Sequence, residues 1–137
     1  MDVKVDWKGG LCFAGSGGSG HEVVMDASRA TGGENRGASP MELLLHGVAG
    51  CSGIDIVKIL EKKRAEIEEI EISIEGIRAD DHPRKFEKLK LHFEVTGRDM
   101  SRKDVQQAVN LSVDKYCSAS NSLTAEKEVS FELNRTD

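Results

Sequence analysis

The segment from Ser39 to Glu69, SPMELLLHGVAGCSGIDIVKILEKKRAEIEE, does most to limit the folds open to this chain. Ser39 suits an N-cap, Pro40 suits the first helical position, and Glu42 stands at N3, which together make a capping box. The pattern predicts one helix from Pro40 to about Ala65. Its central half is nearly all apolar, so it is expected to be buried on most sides, with a solvated end at EKKRAEIEE. Gly47, Gly50 and Gly53 flank Cys51 inside this run. Each costs a helix about 1 kcal/mol relative to alanine. In return, a strip of bare backbone admits another backbone, a partner helix or a small ligand.

Around this helix the chain reads as strands. DVKVDWK alternates with period two, and GLCFAG and HEVVMDA read as further short strands. SRATGGENRGA is a polar, glycine-rich loop. After the helix, IEISIEGIRA and KLKLHFEVTG form two long alternating strands separated by the turn DDHPRK. Ser101 caps a second helix with Asp104 at N3. Val105, Ala108, Val109, Ser112, Val113 and Tyr116 form its stripe, and Cys117 follows on the same side. KEVSFELN closes as a strand. The order of elements gives an α+β domain, an antiparallel sheet with a long central helix and a second helix. With 137 residues, a single domain over 1–137 is expected.

The net charge of −5 argues against nucleic acid or an anionic membrane surface as a partner, because both require clustered lysine and arginine. The start, MDVKVDWKGG, lacks the apolar core of a signal peptide. No apolar run is expected to reach the ~18 residues of a membrane span. A cytoplasmic protein is the expectation. Cys12, Cys51 and Cys117 are odd in number and far apart, unlike a secreted disulfide framework.

Several motifs resolve to plain readings. GSGGSG matches the glycine spacing of a dinucleotide fingerprint, but a strand pattern follows it where a helix N-terminus is needed, so it reads as a hairpin turn. His21, His46, His82 and His92 have no metal-ligand spacing with one another or with the cysteines, and neither metal nor cofactor is expected. Cys51 and Cys117 could be small core residues, since free cysteine is commonly buried. The glycines beside Cys51 and the small polar run CSASNSL after Cys117 favour a cleft instead. Asp55 and Lys58 share the helix face of Cys51. They read equally well as an ordinary helix ion pair or as charges acting on the thiol.

The stretches SPMELLLHGVAGCSGIDIV, KLHFEVTGRD and LSVDKYCSASNSL resemble the OsmC/Ohr family (osmotically inducible protein C and organic hydroperoxide resistance protein), most closely its YhfA-like branch. The resemblance covers nearly the whole chain. It implies an intertwined homodimer with the central helices packed inside. It also implies a thiol-dependent peroxidase for organic hydroperoxides, with no cofactor. In that reading Cys51 is the peroxidatic thiol, Cys117 resolves it to a disulfide, and an external dithiol, a lipoyl or thioredoxin-like protein, reduces the pair. The family's peroxidases carry a glutamate ten residues before the peroxidatic cysteine, where this chain has Met41. The adjacent Glu42 lies nine residues before Cys51, about half a turn out of phase with it at ~100° per residue. The peroxidases also carry an arginine in the N-terminal hairpin. Here the hairpin has none; Arg29 and Arg36 in the following loop could substitute, and Arg36 lies nearer the helix entry. The alternative implied by these differences is a redox-sensing or small-ligand-binding stress protein on the same fold.

Overall fold

The computed structural model describes residues Met1–Asp137. The chain forms two compact units, Met1–Leu44 and Leu45–Asp137.

The first unit is built on a three-stranded antiparallel meander, β1 (Val3–Trp7), β2 (Phe13–Gly17) and β3 (Glu22–Met25), in that order. The glycine-rich stretch is only partly a turn: Gly15 to Gly17 continue β2 opposite β1 and β3, and the reversal falls at Gly18 and Ser19. The polar loop that follows is organised by one carboxylate. Asp26, 2 % exposed, accepts from the N–H groups of Ala27 at 2.7 Å and of Glu34 and Arg36 at 3.2 Å. Burial pushes its carboxyl up. The three hydrogen bonds and the Arg36 charge outweigh that and hold it below the usual carboxylate range.

Helix α1 (Pro40–Lys62) begins where expected and stops three residues short of Ala65, because Glu66 already belongs to the next strand. The Ser39 hydroxyl accepts from the Glu42 N–H at 3.1 Å, the first half of the capping box. Two expectations for this helix need correction. Within the chain only Val48, Ser52, Ile56 and Leu60 are buried, a single face at steps of four. Leu44 and Ile54 are 43 % and 59 % exposed. By length and composition α1 is also apolar enough to cross a membrane. Its glycines, serine and histidine break the run, but the leucines, isoleucines and valines carry the average.

The second unit holds a three-stranded sheet, β4 (Glu66–Arg78), β5 (Phe86–Arg98) and β6 (Glu126–Arg135), with β5 in the centre. Its middle strand turns Leu89, Leu91, Phe93 and Val95 to the core, the period-two pattern of a sheet with one covered face. β4 pairs antiparallel to β5, but β6 runs parallel to it. The antiparallel expectation therefore holds for every pair except this one. A crossover through helices brings the chain back to the same end of the sheet, and such a return can only make a parallel pair. Helix α2 (Arg102–Leu111) starts with a complete capping box between Ser101 and Asp104. It buries Val105, Ala108 and Val109, and the Arg102 guanidinium stacks over the Phe131 ring of β6 at 4.7 Å. Tyr116, expected on the buried stripe, is 49 % exposed. The helix widens beyond Leu111 into a π turn, Ser112–Tyr116, and that change of pitch rotates Tyr116 off the stripe.

Candidate active site

The site lies entirely within the second unit and starts from the pitch change after α2. The Cys117 N–H reaches back five residues to the Ser112 carbonyl at 2.7 Å, the hydrogen bond of a π turn. Cys117 then takes extended backbone angles and caps the short helix α3 (Ser118–Asn121). The small polar residues after it have local work. Asn121 donates to the carbonyls of Cys117 at 2.8 Å and Val113 at 3.3 Å, and the Ser120 hydroxyl donates to the same two at 3.5 and 3.4 Å. The bonds to Val113 give its carbonyl side-chain donors beyond the end of the π turn, and those to Cys117 add to the Asn121 N–H that its carbonyl already accepts at 3.1 Å.

This arrangement points the Cys117 sulfur at the buried face of α1. Cys117 is wholly buried and Cys51 is half-buried. The two sulfurs, 66 positions apart in the sequence, lie within 4.8 Å of each other and of a carboxylate oxygen of Asp55. The Ser52 hydroxyl donates to the Cys117 sulfur at 3.2 Å and the Ser120 N–H donates at 3.3 Å. Ser52 is fixed in turn, because the Ser112 hydroxyl donates to its carbonyl at 3.0 Å. Burial pushes the Cys117 thiol up, yet hydrogen bonds from Ser52, Ser120 and Cys51 outweigh it, and its pKa lies below the ordinary thiol value.

Asp55 follows Cys51 by one helical turn. Its Oδ2 is buried without a hydrogen-bond partner. The ion pair with Lys58 does not form: the salt bridges are Lys63–Asp104, Lys90–Glu128, Arg98–Glu66 and Arg135–Asp137. Gly53 answers one part of the glycine pattern. A Cβ there would meet Ile72 Cδ1 of β4 at 3.0 Å, so the bare backbone lets helix and strand approach. At Gly47 and Gly50 a Cβ would meet nothing within 4 Å.

Of the residues singled out from sequence, Cys51 and Cys117 come together. Arg36 and Glu42 belong to the first unit and are exposed. Arg36 gives its backbone N–H and its charge to Asp26, and Glu42 gives its N–H to the helix cap. Ser52, Ser112 and Ser120 were not anticipated. Ser52 and Ser112 stand among apolar residues of their helices, whereas Ser120 lies in a polar run; all three are fully buried, so each must find a partner.

The sequence profile of the family described as OsmC-like protein matches residues 32–132. Protein YhfA of Escherichia coli (strain K12) is 41 % identical over 129 residues, covering 94 % of this chain and 92 % of that protein. Among solved structures, a hypothetical protein from Aquifex aeolicus VF5 superposes with a TM-score of 0.86 at 31 % identity, over 99 % of this chain and 97 % of that one. The organic hydroperoxide resistance protein OhrB of Bacillus subtilis shares the fold with a TM-score of 0.60 at 23 % identity, over 97 % and 98 % of the two chains. An α+β fold, a profile match over most of the chain and a relative of this identity over nearly its full length place the protein in one group: it belongs to the OsmC-like family.

Proposed function

We propose that the protein reduces organic hydroperoxides with the Cys51–Cys117 pair. The observation that carries this reading is the approach of the two sulfurs to within 4.8 Å, one half-buried and the other fully buried. The thiol within reach of solvent acts first. The Cys51 thiolate attacks the hydroperoxide oxygen, the O–O bond breaks, and the alkoxide leaves as alcohol after taking a proton, with Cys51 oxidised to the sulfenic acid. The Cys117 thiolate then attacks the Cys51 sulfur. Hydroxide leaves, is protonated to water, and a disulfide forms. An external dithiol, lipoyl or thioredoxin-like, returns both thiols by exchange. The hydrogen bonds from Ser52 and Ser120 support the second step, because they hold the resolving sulfur toward its nucleophilic form.

A homodimer is part of the proposal. Only 22 % of the most apolar stretch of α1 is buried within one chain, and soluble proteins rarely leave an apolar face of that size uncovered. A cytoplasmic setting is also proposed, supported by the odd number of widely spaced free cysteines.

A second reading, a redox sensor or ligand-binding thiol pair with little turnover, is favoured by Asp55. Peroxidatic thiols are activated by a neighbouring cation, and this pair has a carboxylate within 4.8 Å that opposes ionisation. One experiment separates the two. Reduced protein is mixed with cumene or tert-butyl hydroperoxide, with lipoyl dithiol and thioredoxin tried in turn. Sustained peroxide consumption that Cys51→Ser abolishes is expected. A single stoichiometric oxidation with neither reductant able to recycle it would favour the sensor.

A further inference from the structure

We propose that Cys51, Asp55 and Cys117 form a three-ligand site for zinc(II), with the fourth position open to water or a small exogenous ligand. The inference uses the same thiol pair as the proposed function but does not depend on peroxide chemistry.

Three observations carry it. First, the two sulfurs and a carboxylate oxygen all lie within 4.8 Å of one another. A tetrahedral zinc ion with Zn–S of about 2.3 Å and Zn–O of about 2.0–2.2 Å sets its donor atoms roughly 3.5–3.8 Å apart. Small side-chain rotations therefore suffice to close the triad on an ion. Two ligands come from one face of α1, a turn apart, and the third arrives from the backbone beyond the π turn.

Second, Asp55 Oδ2 is buried and has no hydrogen-bond partner, and Asp55 takes part in no salt bridge. Buried carboxylates are ordinarily paired, hydrogen-bonded or metal-bound. Here the half-buried Asp55 carboxylate stands within 4.8 Å of two thiol sulfurs, and Lys58, Lys62 and Lys63, which line a pocket with it, form no ion pair with it. A divalent cation supplies the missing partner for all three groups.

Third, the donor set selects the ion. Two sulfurs and one oxygen suit zinc, whereas magnesium and calcium require oxygen ligands throughout. The site also has outer support: Ser52 Oγ and the Ser120 N–H both donate to the Cys117 sulfur, and Ser112 fixes Ser52. Such contacts orient ligands in metal centres. A zinc ion so held occupies the sulfur lone pairs that would attack a peroxide, so the bound form would be protected from oxidation.

The test uses full-length, reduced, chelator-treated protein under anaerobic conditions. Zinc(II) is titrated against a chromophoric competitor, and cobalt(II) is substituted as a spectroscopic probe. The expected result is one zinc per chain. Cobalt should give thiolate-to-metal charge-transfer absorption and the intense visible bands of a four-coordinate centre. Asp55→Asn and Cys51→Ser should each weaken zinc by more than the roughly 10–100-fold lost when a supporting contact is removed, while Cys12→Ser leaves it unchanged. In the wild-type protein zinc should shield Cys51 from iodoacetamide, a readout that needs no variant. Absence of competitive binding, or binding that Asp55→Asn leaves intact, would overturn the site. Peroxide turnover without zinc binding removes this inference alone. Zinc binding without turnover removes the peroxidase reading alone.

Discussion

Cys51 and Cys117 carry the same functional group in different surroundings, half-buried and fully buried, and the roles proposed for them rest on that difference. Cys51→Ser is expected to abolish peroxide consumption. Cys117→Ser should permit one turnover and leave a sulfenic acid on Cys51 that dimedone traps. Labelling of Cys12 instead, read by peptide mass spectrometry, would refute the assignment. Ser52→Ala removes a donor to the Cys117 sulfur. It should raise the pH at which that thiolate forms, followed by thiolate absorbance in a background lacking the other two cysteines. It should also cost about 0.5–1.5 kcal/mol of stability by chemical denaturation. Asp26 gives a pH signature. Its folded-state pKa lies below the unfolded value, so its contribution is complete above the ordinary carboxylate range and is lost as pH falls through the depressed value. The acid limb of a melting-temperature profile should therefore flatten in Asp26→Asn. At this scale the sequence exposed the thiols, because cysteine chemistry is visible from the residue alone. It hid Ser52, Ser120 and the lone carboxylate oxygen of Asp55, whose importance comes from what surrounds them.

Elements were legible where the pattern is local. Periodicity predicted β5 and the starts of both helices closely, and the capping box of α2 is formed as read, whereas β4 begins at Glu66, inside the stretch read as the solvated helix end, and α2 stops at Leu111 instead of running through Tyr116. Ser101→Ala should accordingly cost about 1 kcal/mol, measured by urea unfolding. The π turn after Leu111 was not legible. It turns one sulfur inward while Ser120 and Asn121 donate to the Val113 and Cys117 carbonyls, and nothing in a 3.6-residue repeat announces it. The direction of β6 was hidden for a related reason: alternation identifies a strand but says nothing of which neighbour it meets or which way it runs. The glycines of α1 divide by what they face. Gly53 admits Ile72, while Gly50 faces open space within the chain. Gly50→Leu should therefore leave the fold of the chain intact and weaken the proposed dimer by roughly 1–3 kcal/mol through overpacking, read as a shift in dissociation by sedimentation.

For the whole molecule, the apolar composition of α1 was legible but its covering was not. A helix apolar nearly all round reads as a core helix, yet in one chain it buries a single face. The cover proposed for the rest is intermolecular, and no periodicity within one chain can describe such a cover. The dimer proposed to supply it predicts a particle of twice the chain mass by light scattering at micromolar concentration. A stable monomer there would refute it.

The parallel pairing of β6 with β5 also orders events during synthesis. β4 and β5 can zip together as a hairpin as soon as both have left the ribosome, but the other edge of β5 waits until α2, the π turn and α3 have followed. Through that interval a long strand rich in leucine, phenylalanine and valine has an open row of backbone donors and acceptors, the feature that invites pairing between nascent chains. β6 is therefore the strand that ends the exposure, and the same passage of chain that delays it carries Cys117.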